Sequence, residues 1–312
     1  MHNDIFHIPV LLNQSIELLI NPNLSDSIII DGTTGGGGFS EEICKQTSDA
    51  CRIICIDKDE NALNYCKHSL KKYSDKITFV NDNFGDIKRI LKTLNIKTIT
   101  GIVLDLGLSS YQLEKEDGFS YMKDTPLDMR ASKNDKIKAS DVVNLYSKQE
   151  LTELFRDFGE IGNAMRLSEI IFQNRKKQKI NSTMQLVEII KREYKISERN
   201  LYKFLSKIFQ AIRIAVNNEL KNLENALNQS LDCLTIGGRL VVISYHSLED
   251  RIVKNYFKEM SFAPSRSKYK SNDDIITPKL KLLTKKPITP SRKEIVANSR
   301  ARSAKLRAAE RL

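Results

Sequence analysis

From Ile28 to Ser40 the chain reads I-I-I-D-G-T-T-G-G-G-G-F-S. Ile28, Ile29 and Ile30 make the short β-branched run expected of a fully buried parallel strand. Asp31 closes it, and Gly32, Gly35, Gly36, Gly37 and Gly38 then let the backbone turn sharply and lie close against a ligand. Ser40, Glu41 and Glu42 suit the first turn of a helix, where a short polar cap and negative charge are favoured. Strand, glycine turn and helix in this order open the nucleotide-type site of a doubly wound α/β sheet. A glycine turn also joins strands to helices where nothing binds, so a second signal is required.

That signal lies in Arg52 to Asp59, R-I-I-C-I-D-K-D, a second buried-strand pattern in which Asp57 stands 22 positions after Gly35. An acidic side chain about 20 residues on meets the ribose hydroxyls of a bound nucleotide. Nicotinamide and S-adenosylmethionine enzymes share this arrangement. The dinucleotide fingerprint G-x-G-x-x-G fails here, because counting from Gly35 puts Ser40 at its third glycine. Asp31 would also repel a pyrophosphate, whereas it suits a ligand carrying an ammonium and a sulfonium. S-adenosylmethionine is therefore the expected cofactor, with a NAD-dependent oxidoreductase a distant alternative.

Further strands are expected at Ile77 to Val80 and Gly101 to Leu106, the second carrying Asp105 at its end. Between them N-D-N-F-G-D places Phe84 to stack on an adenine ring. Strands ending in Asp31, Asp57 and Asp105 put three acids on the sheet edge where ligands bind in this architecture. Beyond Tyr111 helical periodicity takes over, with Ser182 and Gln185 forming a capping box for a helix over Thr183 to Tyr194. One apolar stripe through Ile212, Val216, Leu220, Leu223, Leu227, Leu231 and Leu234 reads as a single helix stopped by Gly237 and Gly238. Arg239 to Ser244 restores a strand, Leu248 to Met260 is a helix, and an antiparallel pair is expected around Lys279 to Leu283 and Ser303 to Ala308. The fold expected is α/β, a Rossmann-like doubly wound sheet of the class I methyltransferase type. Residues 1–110 and 209–312 would build it, with an all-helical domain, 111–208, inserted between the fourth and fifth strands.

At 312 residues the chain can bury a sizeable core. No uninterrupted apolar run approaches the roughly 18 residues of a membrane span. The opening M-H-N-D-I-F-H-I-P-V lacks the basic region and apolar core of a signal peptide. Five cysteines without a C-x-x-C pair, and only four histidines, argue against a metal site and for reduced thiols in a cytoplasmic protein. The net charge of +11 is concentrated after Ser261, where 14 Lys/Arg face 4 Asp/Glu. Such a basic end favours a polyanionic partner through counterion release; its plain alternative is a solvated charged surface.

Two polar clusters lie directly beyond strands: L-G-L-S-S-Y-Q from Leu106 and S-Y-H-S-L-E-D-R from Ser244. Ser109 and Ser110 read either as site residues or as helix caps, and His246 either as a site residue or as a hydrogen-bonded structural histidine. With these clusters on the page, the sequence resembles the MraW/RsmH methyltransferases. The matching stretches are H-I-P-V-L-L from His7, D-G-T-T-G-G-G-G-F-S from Asp31, I-D-K-D from Ile56, D-L-G-L-S-S-Y-Q-L from Asp105 and G-F-S from Gly118. They continue with P-L-D-M-R from Pro126, F-G-E from Phe158, F-Q-A-I-R-I from Phe209, S-Y-H-S-L-E-D-R from Ser244 and N-S-R-A-R-S-A-K-L-R from Asn298.

The resemblance covers essentially the whole chain. It implies methylation of a cytosine N4 in the P-site (decoding) region of 16S rRNA, in the small ribosomal subunit, by a monomer or homodimer. It also implies that Gly37, Gly38, Phe39, Asp57, Phe84, Asp105 and Gln112 hold S-adenosylmethionine. Phe39 stands where the family usually has histidine, and Asp117 where arginine precedes G-F-S. For the chemistry, Asp105 and the Leu106 carbonyl are the expected acceptors for the substrate amine, with Ser109 and His246 positioning or relaying. Attack at cytosine C5 would need a cysteine within Pro-Cys, and none of the five follows a proline. The alternative from another class is a non-catalytic rRNA-binding assembly factor with a vestigial cofactor fold.

Overall fold

The strands are continuous apolar runs whose successive side chains point to opposite faces, and that builds a sheet buried on both faces. The computed structural model describes residues 9–24, 27–107, 116–194, 196–262 and 277–312. Its sheet has seven strands: β1 (Ile28–Asp31), β2 (Arg52–Asp57), β3 (Ile77–Asn81), β4 (Ile99–Asp105), β5 (Leu234–Ser244), β6 (Leu280–Leu282) and β7 (Lys305–Arg311). They lie in the order β3-β2-β1-β4-β5-β7-β6. β1 to β5 run parallel, while β7 is antiparallel to both β5 and β6. This is the Rossmann-like class I methyltransferase arrangement, and the terminal antiparallel pair falls where the sequence placed it.

Ile29, Ile53, Cys55, Val103, Val241 and Ile243 face one core, closed by α1 (Leu12–Leu19), α2 (Gly38–Gln46) and α3 (Glu60–Ser69) through Ile16, Leu19, Ile43 and Cys66. Ile30, Ile54, Ile56, Ile102, Leu104, Leu240 and Val242 face the other. That side is covered by α4 (Ile87–Thr93), α10 (Glu219–Cys233) and α11 (Ser247–Ser261), through Ile90, Leu223, Leu227, Val253 and Phe257. No helix among the described residues is long and apolar enough to cross a membrane.

The chain divides into two compact units, one running up to Gly107 and resuming at Leu220, the other spanning Leu108–Glu219. The second consists of α5 (Ala139–Leu145), α6 (Lys148–Asp157), α7 (Ala164–Lys177), α8 (Thr183–Glu193) and α9 (Glu198–Asn217). Its core is Phe119, Leu127, Val142, Phe155, Leu167, Leu186, Leu205 and Ile212, among others. The expected capping box opens α8: Ser182 Oγ accepts from the Gln185 N–H at 3.3 Å, and Gln185 Oε1 accepts from the Ser182 N–H at 3.1 Å.

Two expectations need correction. The stripe from Ile212 to Leu234 is not one helix: Asn218, at φ 52°, breaks it into α9 and α10. Asparagine tolerates this left-handed turn better than most residues. The stripe is continuous because it serves two cores, Ile212 and Val216 in the helical unit, and Leu223, Leu227 and Leu231 against the sheet. α9 lies wholly within the helical unit, whose last residue is Glu219. Gly237 and Gly238 also do not stop a helix; they lie inside β5, at the irregularity between the Ile99–Leu234 and Gly101–Arg239 pairs. Gly237 sits at φ 77°, and a Cβ on Gly238 would come 2.8 Å from the Thr235 carbonyl oxygen.

One ion-pair cluster ties α11 to the last strand. Asp250 accepts from Arg307 Nε at 2.7 Å and Lys305 Nζ at 3.0 Å, with Asp250 and Arg307 both buried. Burial pushes the Asp250 carboxyl up, but the hydrogen bonds from Arg307 and Lys305 prevail and hold it below the usual range. Removing one member of a buried pair leaves an uncompensated charge, at a cost of about 3–5 kcal/mol. Asp250→Ala should therefore lower unfolding free energy by about that much in a urea titration; a loss under about 1 kcal/mol would show that the cluster is not coupled to folding.

Candidate active site

Register decides how the three strand-end acids are arranged. Asp31 pairs with Cys55 and Val103, so Asp57 and Asp105 each stand two residues beyond its level. An even offset keeps all three side chains on one face of the sheet, the face of Ile29, Cys55 and Val103. Two residues are about 6.6 Å of strand, so Asp31 lies deep while Asp57 and Asp105 form a rim above it. Asp31 is 0% exposed; the other two are half-buried.

The glycine turn wraps this step. Asp31 Oδ2 accepts from Ser40 Oγ at 2.6 Å, and Oδ1 accepts from the Thr33 N–H at 3.4 Å. Asp57 accepts from the Gly35 N–H at 2.8 Å and from the Asp59 N–H at 2.9 Å. Thr33 Oγ1 accepts from the Asp105 N–H at 2.7 Å, so the turn is stitched to both flanking strands. A Cβ on Gly32 would meet Leu104 Cδ2 at 2.5 Å, and one on Gly37, at φ 79°, would meet Cys66 Sγ at 2.9 Å. On Gly38 it would clash with Pro9 Cγ, which places Pro9 against the turn. Glycine is required at each by contact, and Gly37 by conformation as well.

Electrostatics follow from depth. Burial outweighs the hydrogen bonds from Ser40 and Thr33 and, with smaller additions from the charges of Asp57 and Asp105, pushes Asp31 up to about 7. Burial likewise pushes Asp57 up to about 6, against the N–H bonds of Asp59 and Gly35. Two carboxyls this reluctant to ionise make a cradle suited to a cation and hostile to a pyrophosphate.

The remaining sequence-derived candidates separate. Phe39 is buried in the core with Val10, Leu11 and Ile43, so only its backbone is left to face a ligand. Phe84 is half-buried, its Cβ 3.4 Å from where a Gly32 Cβ would stand. Ser109 and Gln112 lie outside the described residues. His246 is the N-cap of α11: Nδ1 accepts from the Glu249 N–H at 3.4 Å, while Glu249 Oε2 accepts from the backbone N–H groups of Tyr245 at 2.8 Å and His246 at 3.3 Å. Its observed hydrogen bonds are those of the structural alternative.

Three contributors to the site are not among the site residues expected from sequence. Thr33 and Ser40 sit in the quoted glycine stretch, and a hydroxyl within reach of a strand-end acid is the signal that could have found them. Tyr245 donates from its hydroxyl to Asp105 Oδ1 at 2.8 Å. Asp105 pairs with Ile243, so Tyr245 stands two residues further on the same face, a relation invisible until β4 and β5 are known to be neighbours.

With this geometry established, the family model described as "MraW methylase family" matches residues 4–312. The chain belongs to the MraW methylase family. Similar relatives are each named ribosomal RNA small subunit methyltransferase H. The Finegoldia magna protein is 43% identical over 98% of both chains. That of Clostridioides difficile is 42% identical over 98% of this chain and 99% of its own. The Acholeplasma laidlawii MraW-family relative, numbered H 1, is 44% identical, again over 98% of this chain and 99% of its own.

Asp31 also gives this family member a stability signature. Its ordinary value is 3.8 and its folded value about 7, so the native state holds an extra proton between those limits. Stability contributed here is present at low pH and lost as pH rises towards about 7; Asp57 acts in the same sense up to about 6. Asp31→Asn should flatten the fall in unfolding free energy between about pH 4 and 7. Parallel denaturation profiles for wild type and variant would rule out a neutral Asp31.

Proposed function

We propose that this chain transfers a methyl group from S-adenosylmethionine to the exocyclic N4 of a cytosine in the P-site region of 16S rRNA, within the cytoplasmic small ribosomal subunit. The observation that carries the reading is the stepped set of carboxylates: one deep acid beneath a glycine turn and two at the rim, in an MraW-family chain. The residues present fit the cofactor. The turn has no room for a Cβ at Gly32, Gly37 or Gly38, and the buried acid beneath it would be stabilised as an anion by a cation. When bound, S-adenosylmethionine supplies an electrophilic methyl on a sulfonium.

The rest falls to the chain. Backbone groups of Gly37, Gly38 and Phe39 would hold the cofactor, Asp57 would accept from its ribose hydroxyls with the lone pairs its N–H partners leave, Phe84 would stack on the adenine, and Gln112 is assigned to cofactor binding by the family resemblance. Asp105 and the Leu106 carbonyl accept N–H hydrogen bonds from the cytosine amine, whose lone pair is delocalised into the ring. Drawing those bonds out of the ring plane aims the nitrogen at the methyl. The proton leaves after transfer, so no strong base is demanded, and Ser109 and His246 serve as positioning groups.

The helical unit and the basic C-terminus are read as the RNA-binding parts. Exposed Lys285, Lys286, Arg292, Lys293 and Arg302 supply charge for phosphates. β7 begins at Lys305, paired with Ser244 at the active edge of β5, so the basic residues just before it arrive beside the site.

Asp57→Ala should abolish S-adenosylmethionine binding in calorimetry; wild-type affinity would remove Asp57 from the ribose role. Asp105→Ala should slow single-turnover methylation by about tenfold or more, about 1.4 kcal/mol per decade. Mass mapping of small-subunit rRNA from cells with and without the protein tests the reading as a whole. Loss of one N4-methylcytosine is expected, whereas salt-sensitive RNA binding with unchanged methylation would favour the assembly-factor alternative.

A further inference from the structure

Asp105 is fixed at two points by residues from different strands. Its main-chain N–H is held by Thr33 Oγ1 beyond β1, and its Oδ1 receives the Tyr245 hydroxyl from beyond β5. Fixing the amide and one carboxylate oxygen fixes the plane of the carboxylate, and with it the direction of every lone pair the group presents. We propose that Tyr245 is a positioning residue for methyl transfer, acting through its hydroxyl on Asp105. The inference rests on the role given to Asp105 above.

The surroundings hold Tyr245 in place for that task. Its ring packs against the core containing Val241, Ile243 and Leu306. Across the ring lies Gly107, at φ 123°, where a Cβ would come 3.0 Å from Tyr245 Cδ2. Its backbone N–H is held by Glu249 Oε2 at 2.8 Å, in the cap that His246 opens. The phenol is therefore fixed by ring packing on two sides and by its own main chain. Burial, followed by the charge and hydrogen bond of Asp105 and the charges of Glu249 and Glu294, pushes the hydroxyl well above its ordinary range, so it stays a donor at every working pH.

This arrangement differs from one in which the ring merely fills space. A phenylalanine would fill the same volume and remove the hydroxyl that Asp105 Oδ1 accepts from. Misplacement of a reacting group by about 1 Å can cost on the order of 100-fold in rate. It also gives the His246 cap a purpose at one remove, since the cap holds the turn that carries Tyr245.

The test uses the full chain with rRNA substrate in three variants, Tyr245→Phe, Asp105→Asn and the double substitution. Tyr245→Phe should slow single-turnover methylation by roughly 10- to 100-fold. The dissociation constant for S-adenosylmethionine and the KM for RNA should stay within about twofold of wild type. Because the tyrosine acts through the aspartate, the double variant should be no slower than Asp105→Asn alone. A Tyr245→Phe enzyme at the wild-type rate, or a double variant whose losses multiply, overturns the assignment while leaving the methyltransferase reading intact. A fall in melting temperature accompanied by weaker cofactor binding and an unchanged rate for bound complexes would mark a merely structural residue and overturn it equally. A wild-type chain that binds the cofactor yet never methylates rRNA sinks the underlying reading instead.

Discussion

A carboxyl group with no solvent exposure, one hydroxyl at 2.6 Å and one main-chain N–H at 3.4 Å is poorly provided for as an anion. Asp31 is such a group, and its position constrains the whole sheet edge. It ends the shortest of the first five strands, so the glycine turn begins two residues below the ends of β2 and β4. The turn must then climb that step in the open between its neighbours, which is why Thr33 bonds to one flanking strand and Gly35 to the other. Had β1 extended to the level of its neighbours, its acid would be solvated with the rest and the edge would hold three ordinary surface carboxylates. The step turns them into a rim and a floor, with the floor carboxyl shut away from solvent.

The sequence disclosed the parts of this arrangement that depend on local pattern. Acid-tipped apolar runs, the glycine turn and the capping box at Ser182 are short-range signals, and each stands where it was read. What escaped depends on contacts between distant segments. Tyr245 reaches Asp105 across 140 residues, and nothing in S-Y-H-S distinguishes the phenol from the imidazole beside it. The imidazole beside it also caps the first turn of α11. The break at Asn218 was hidden because periodicity reports that a face is buried, not which core buries it. Roles for Ser109 and Gln112 rest on resemblance alone.

The stretches that carry the family resemblance mix two kinds of residue, and backbone conformation separates them. Among the described residues, Leu11, Met129 and Glu160 are non-glycine residues at φ 55°, 59° and 47°, each inside a quoted motif: H-I-P-V-L-L, P-L-D-M-R and F-G-E. Glycines at positive φ occupy the D-G-T-T-G-G-G-G, D-L-G and G-F-S stretches as well. A left-handed non-glycine residue costs about 1–3 kcal/mol and persists only where its surroundings over-determine it. Met129 is 0% exposed, between an Asp128 and an Arg130 that pair with each other at 2.6 Å. A Cβ on Gly118 would strike the Asp128 nitrogen at 2.6 Å, so G-F-S and P-L-D-M-R are specified by one another. Leu11 gives its N–H to Glu294 at 2.6 Å, near the far end of the chain. At such residues the backbone bends against preference, and the surrounding contacts hold it there. The strand-end acids and Tyr245 reverse the relation, with unremarkable backbone and demanding side chains. Within this chain, then, a motif's specificity measures how tightly its backbone is constrained, and chemistry has to be located separately by asking which polar side chains the sheet register brings to one edge.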